Sequence, residues 1–193
     1  MSSSEKTGTK HSPPEARSYR DTIGLFATGV AVVIARAGNE VVGMTVNALT
    51  SISLDPLLLL FCPSRTSRFA EHMTTLTGFT INLLRHEQQA LSTYFAGGWK
   101  EEQPPAYRLV PSRSAPRIQG ALASIDCETS SITEAGDHWI VIGKVLELHQ
   151  GVPPHHPLLF FRGRYRAVDF RESSAAPDLT SVHDEPAHIY YET

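Results

Sequence analysis

Three short stretches carry the side chains that could do chemistry. The first runs Gly43-Met44-Thr45-Val46-Asn47-Ala48-Leu49-Thr50-Ser51-Ile52-Ser53-Leu54-Asp55-Pro56. It reads as a polar turn between two apolar, β-prone segments, Val41-Val42 and Leu57 to Phe61. Its hydroxyls, carboxamide and backbone amides suit a ligand rich in carbonyls and ring nitrogens, although the same composition also makes an ordinary hydrogen-bonded loop. The second stretch is Arg65-Thr66-Ser67-Arg68, ahead of a short helix expected at Phe69 to Met73. Hydroxyls and guanidinium groups at a helix start make either a phosphate seat or a plain cap with exposed arginines. The third is Gly136-Asp137-His138 at the mouth of a hairpin. There a carboxylate beside an imidazole either orients a polar ligand or is a surface turn.

Other chemistries are poorly served. No G-x-G-x-x-G follows a strand, and Walker, G-x-S-x-G, H-E-x-x-H and paired C-x-x-C motifs are absent. This argues against doubly wound dinucleotide binding, serine hydrolysis and structural zinc. His155 and His156 are adjacent and flanked by prolines, so in extended chain they point apart and make a poor metal pair.

The elements that must position these residues are mostly strands. Val30 to Ala35 and Val41 to Val46 flank a hairpin turn at Ala37-Gly38-Asn39-Glu40, and Leu57 to Cys62 opens after Pro56. Gly78 to Leu84 is a further strand, with Phe79, Ile81 and Leu83 on one face. Two long strands, Gly120 to about Thr133 and His138 to His149, enclose the turn Glu134-Ala135-Gly136-Asp137. Leu158 to Phe161 and Arg164 to Val168 form a last pair around Arg162-Gly163. Helical spacing is confined to Arg17 to Phe26 and Glu87 to Phe95, the second stopped by Gly97-Gly98. Trp99 to Arg117 is a long proline-containing loop, of a kind that is functional or disordered. Six or seven strands on hairpin-length connections predict a mainly β protein, an antiparallel split barrel with short flanking helices.

At 193 residues the chain supports one core. Residues 1–16 read as a disordered leader and 17–168 as the domain. Residues 169–193 form an acidic tail that is left unassigned between disorder and a dimer-swapped arm. A net charge of −3 argues against nucleic acid. No apolar run approaches the roughly 20 residues that cross a bilayer, and no signal peptide is visible. Cys62 and Cys127, both in apolar sequence, read as buried free thiols, so a cytoplasmic protein without membrane attachment is expected.

Taken in order, the motifs resemble those of the flavin reductase family of FMN-binding split barrels, reductase components of two-component flavin monooxygenases. The resemblance spans Tyr19 to Val168. It rests on Phe26-Ala27-Thr28-Gly29-Val30, the run from Gly43 to Pro56, Arg65-Thr66-Ser67-Arg68, Phe79-Thr80-Ile81-Asn82-Leu83-Leu84, the Gln88 to Ala96 helix, Gly136-Asp137-His138 and Gly163-Arg164-Tyr165. Leu57 and Pro63 depart from the usual pattern. The resemblance implies a homodimer that binds FMN or FAD, reduces it with NADH or NADPH, and passes reduced flavin to a partner monooxygenase. The alternative within this fold is a tight FMN-binding electron carrier that does not turn over NAD(P)H. By motif position, Thr45, Val46, Asn47, Ala48 and Thr50 line the ring edge, and Ser51, Ser67 and Arg68 lie towards the phosphate. Phe95 closes the pocket, and Asp137, His138 and Tyr165 face the nicotinamide.

Overall fold

A computed structural model of the chain describes residues 13–169. Most of the expected leader, and all of the tail after Asp169, lie outside the described residues. The strands in chain order are Thr28–Gly29 (β1), Ala31–Ala37 (β2), Glu40–Val46 (β3), Leu49–Leu54 (β4), Leu57–Phe61 (β5), Gly78–Leu83 (β6), Leu109–Val110 (β7), Arg117–Ile118 (β8), Ala123–Ala135 (β9), His138–Gln150 (β10), Leu158–Phe161 (β11) and Arg164–Ala167 (β12). The α-helices are Ala16–Ile23 (α1) and Gln89–Phe95 (α2), with 3₁₀ segments at Arg68–Thr75 and His86–Gln88.

Seven strands form one antiparallel sheet in the order β3-β2-β6-β9-β10-β5-β4. Its two outermost strands, β3 and β4, are consecutive in the chain and joined only by Asn47-Ala48. From Val46 to Leu49 the chain can reach at most about 11 Å, so the sheet must curl until its edges meet at that corner. The two strands do not pair there, and the barrel is split.

The inward face holds Val33, Phe61, Phe79, Ile81, Cys127 and Val141, sealed at one side by Phe69 and Met73 from the 3₁₀ segment. A second cluster, with Val32, Ile34, Leu84, Leu91, Ile118 and Leu158, lies on the outer face beneath α2 and the β1-β11-β12 sheet. Strand β2 contributes to both, which is why its sequence is a continuous apolar run and does not alternate. Gly43 on β3 permits the closest approach: a Cβ there would sit 2.7 Å from Phe95 Cε1 and 2.8 Å from Ile34 Cδ1.

Four expectations change. The polar run after Ala48 is mostly not a turn but strand β4, paired with β5 from Leu49↔Phe61 to Leu54↔Leu57. An edge strand with both faces largely in water needs no apolar alternation, and so its composition resembles a loop. The short helix extends as a 3₁₀ segment from Arg68 to Thr75, and α1 stops at Ile23 with no buried residue. The long loop is ordered at its end. Asn82 on β6 accepts from Ile118 N–H (2.8 Å) and Ser124 Oγ–H (2.9 Å) and donates to Val32 O (3.1 Å) and Thr80 Oγ1 (3.2 Å), while Thr80 donates to Pro116 O (2.6 Å). These bonds bind the loop's end over the polar face of β6. Among the described residues no helix is long and apolar enough to cross a membrane.

Candidate functional site

The three chemistry-bearing stretches meet along one edge, joined by backbone hydrogen bonds. Beyond the end of β3, Asn47 and Ala48 are exposed, while Val46 turns its side chain into the core. Asn47 Nδ2–H donates to Thr28 Oγ1 at 3.3 Å, and Ala48 O accepts from Cys62 N–H at 3.2 Å. One residue on, Pro63 O accepts from Trp139 N–H and Asp137 O accepts from Arg65 N–H, each at 2.9 Å. Pro63 has no N–H to give, and here only its carbonyl is needed. Ser64 and His138 form an antiparallel bridge between these bonds. The Arg65–Arg68 loop and the Asp137–His138 turn, separated by some seventy residues of sequence, therefore share a wall.

Within that wall the polar groups are not equally available. Ser67 Oγ–H donates to Ser64 O at 2.7 Å and accepts from Ala70 N–H at 3.2 Å. Its only proton is committed, so Ser67 shapes the loop and caps the 3₁₀ segment and cannot donate to an anion. Arg65 Nη1 meets Glu134 Oε2 at 3.0 Å and its guanidinium lies 5.4 Å from the Trp139 ring centre. Arg68 is exposed and has no side-chain hydrogen bond or ion pair among the described residues. Of the two guanidiniums, Arg68 is the free cation.

Asp137 Oδ1 lies 2.8 Å from His138 Nδ1. The Asp137 side chain is 91% exposed and that of His138 44%. The hydrogen bond and charge of His138 hold the Asp137 carboxyl below its ordinary value. With Nδ1 bonded to the carboxylate, Nε2 is the nitrogen that His138 presents outward.

Thr45, Phe95 and Tyr165 fall in a different neighbourhood, at α2 with its buried Ser92. Thr45 Oγ1–H donates to Ser92 O at 2.6 Å, and Tyr165 Oη lies 2.8 Å from Ser92 Oγ. Phe95 packs edge-on against Tyr94 and Tyr107, with centroids 5.0 and 5.4 Å away, over the gap left by Gly43. Thr50 and Ser51 stand exposed on β4, whose outer edge carries no ladder bonds, so a row of backbone N–H and C=O groups faces outward beside Ala48.

A cavity of about 280 Å³ opens next to Asn47, lined by Phe26, Ala27, Thr28, Gly29 and Leu158 among others. Sequence reasoning treated Phe26 to Val30 as a motif without a site role. The contact of Thr28 with Asn47 brings that motif beside Asn47, and the contact was not visible in either stretch alone. A second, apolar groove of about 340 Å³ runs along β4 and β5 past Leu54, Leu57 and Leu148, all of them exposed. Neither hollow includes the Asp137–His138 pair.

The chain matches the flavin reductase like domain over residues 23–169. It belongs to the flavin reductase-like family. Among relatives of the family, this reductase-like chain is 32% identical, over 90% of each chain, to the reductase subunit HsaB of a flavin-dependent monooxygenase from Rhodococcus jostii. The solved structure of the flavin reductase PheA2 superposes with a TM-score of 0.75 at 34% identity, covering 81% of this chain and 99% of that one. An NADH:FAD oxidoreductase, SgcE6 of Streptomyces globisporus, gives a TM-score of 0.73 at 31% identity, covering 86% and 100%.

Proposed function

We propose that this flavin reductase-like chain oxidises NADH, or NADPH, at the expense of FMN or FAD and supplies the reduced flavin to a partner monooxygenase. The observation that carries the reading is the shared wall: the Arg65–Arg68 loop, which bears the free cation Arg68, is bonded backbone to backbone to the Asp137–His138 turn, and Cys62 at the start of the same segment is bonded to Ala48 beside the exposed Asn47. A flavin fits this donor set. Its pyrimidine edge needs alternating donors and acceptors, which an unpaired strand edge offers, and its phosphate needs a cation without a partner. When bound, flavin supplies the chemistry by accepting a hydride from reduced nicotinamide.

The chain's own residues then bind and orient. Asn47, Ala48, Thr50 and Ser51 present neutral hydrogen-bonding groups to the ring edge. Arg68 faces the phosphate on the loop that Ser67 shapes. Asp137 fixes the tautomer and direction of His138, whose Nε2 meets the nicotinamide side. Neither a strong acid nor a strong base is required, because orientation and hydrogen bonding do the protein's share.

Thr45, Phe95 and Tyr165 support the site from behind, through α2. The apolar groove with exposed Leu54, Leu57 and Leu148 supports a homodimer that covers it. Two free thiols fit a reducing, cytoplasmic compartment.

The test is anaerobic mixing of the protein with NADH and free FMN or FAD, followed by flavin absorbance. Bleaching that scales with protein concentration is expected. No bleaching with either flavin and either nicotinamide would overturn the reading, and stoichiometric bound flavin without turnover would mark an electron carrier.

A further inference from the structure

Arg65 is poorly placed to serve a ligand and well placed to serve the hairpin. Strand β5 pairs with β10 only over Val141 to Lys144, so the tip of the β9–β10 hairpin projects beyond that support. What holds it is the 63–65 segment. Trp139 N–H donates to Pro63 O and Arg65 N–H to Asp137 O, each at 2.9 Å. The Arg65 side chain then reaches both strands of the hairpin at a single rung. Glu134 and Trp139 are register partners, and Arg65 bonds the carboxylate of one at 3.0 Å while lying 5.4 Å from the ring centre of the other. The next rung towards the tip is Ala135 with His138.

We infer that Arg65 is a positioning residue for hydride transfer, clamping the rung behind His138 so that its imidazole is held where reduced nicotinamide docks. The inference rests on the assignment of His138 to the nicotinamide. The ion pair is exposed, with side chains 45% and 58% accessible, so it adds little to global stability. Its effect falls on a hairpin tip, the part of a sheet that opens most easily. An exposed arginine already facing a carboxylate and an indole ring is also a weaker phosphate seat than Arg68.

The experiment compares Arg65→Ala, Arg65→Lys, His138→Ala and the Arg65→Ala/His138→Ala double variant in steady-state turnover with NADH. Flavin affinity and melting temperature are measured on each. Arg65→Ala is expected to raise KM for NADH roughly fivefold, with flavin affinity unchanged within about twofold, and Arg65→Lys to recover most of the loss. The double variant should be no worse than His138→Ala alone, because a clamp has nothing left to position. Additive losses in the double variant, or a selective loss of FMN over riboflavin in Arg65→Ala, would overturn the inference. If His138→Ala raises KM and Arg65→Ala does not, the clamp fails and the assignment of His138 stands. If His138→Ala leaves KM unchanged, both fall. Should Arg65→Ala not fold, Glu134→Gln removes the same ion pair from the hairpin side and is read in the same way.

Discussion

The imidazole of His138 and the carboxylate of Asp137 are neighbours in sequence and 2.8 Å apart in space, both at a turn where the backbone is pinned from a distant loop. His138→Ala should raise KM for NADH about tenfold and leave the dissociation constant for flavin nearly unchanged. Asp137→Asn should do the same more weakly, since it removes the charge and keeps the hydrogen bond. Because His138 holds the Asp137 carboxyl below its ordinary value, the contact favours the folded pair above the ordinary carboxylate range and fades as pH falls through the lowered value. Stopped-flow reduction of flavin at varied NADH separates the binding and transfer steps.

Arg68 should discriminate by phosphate. Arg68→Ala is expected to weaken FMN roughly tenfold and to leave riboflavin almost untouched, as measured by quenching of flavin fluorescence. Equal losses for the two ligands would place the phosphate elsewhere.

Tyr165 is tied to the fold through the 2.8 Å contact with the buried Ser92. Tyr165→Phe leaves the Ser92 hydroxyl without that partner and should cost about 1–2 kcal/mol, lowering the melting temperature by roughly 2–8 °C. Phe retains the ring packing on Phe160, 5.5 Å between centroids. KM for NADH should therefore stay within twofold.

Burial, reinforced by the charge of Asp126, pushes the Cys127 thiol up to about 12. An unfolded thiol ionises near 8.5, so above that pH the unfolded chain releases a proton that the folded chain keeps. Folding stability from this group is fully present below the unfolded value and is lost as pH rises from about 9 towards 12. Urea midpoints measured between pH 8 and 11 should fall, and Cys127→Ala should flatten that slope at some cost in packing.

How much of this was legible in the sequence differs from element to element. The hairpin turn Glu134-Ala135-Gly136-Asp137 was, because a Gly-Asp pair between two β-prone runs has few other uses, and the structure gives Gly136 a φ of 62°. Strand β2 was, as a short apolar run ended by a hairpin turn; that both of its faces are buried comes from the two clusters it joins. Strand β4 was not: Thr50, Ser51 and Ser53 on an exposed edge have the composition of a loop, and pairing with β5 overrode it. Asn82 and Thr80 were read only as the polar side of an alternating strand. Burial of that side under the 112–118 loop comes from contacts more than thirty residues away in the chain. For the site, composition singled out three stretches, and backbone hydrogen bonds join the segments that carry them. Spacing could not reveal that Ser67 spends its proton on its own loop, or that Thr45 and Tyr165 converge on Ser92.

Asn47 and Ala48 stitch together the opposite borders of the rolled sheet, which do not pair with each other. The stitch has no slack, so widening this corner for a bulkier guest by inserting residues would also let the borders drift apart. Any re-engineering of guest preference must exchange side chains around the seam and leave its length alone.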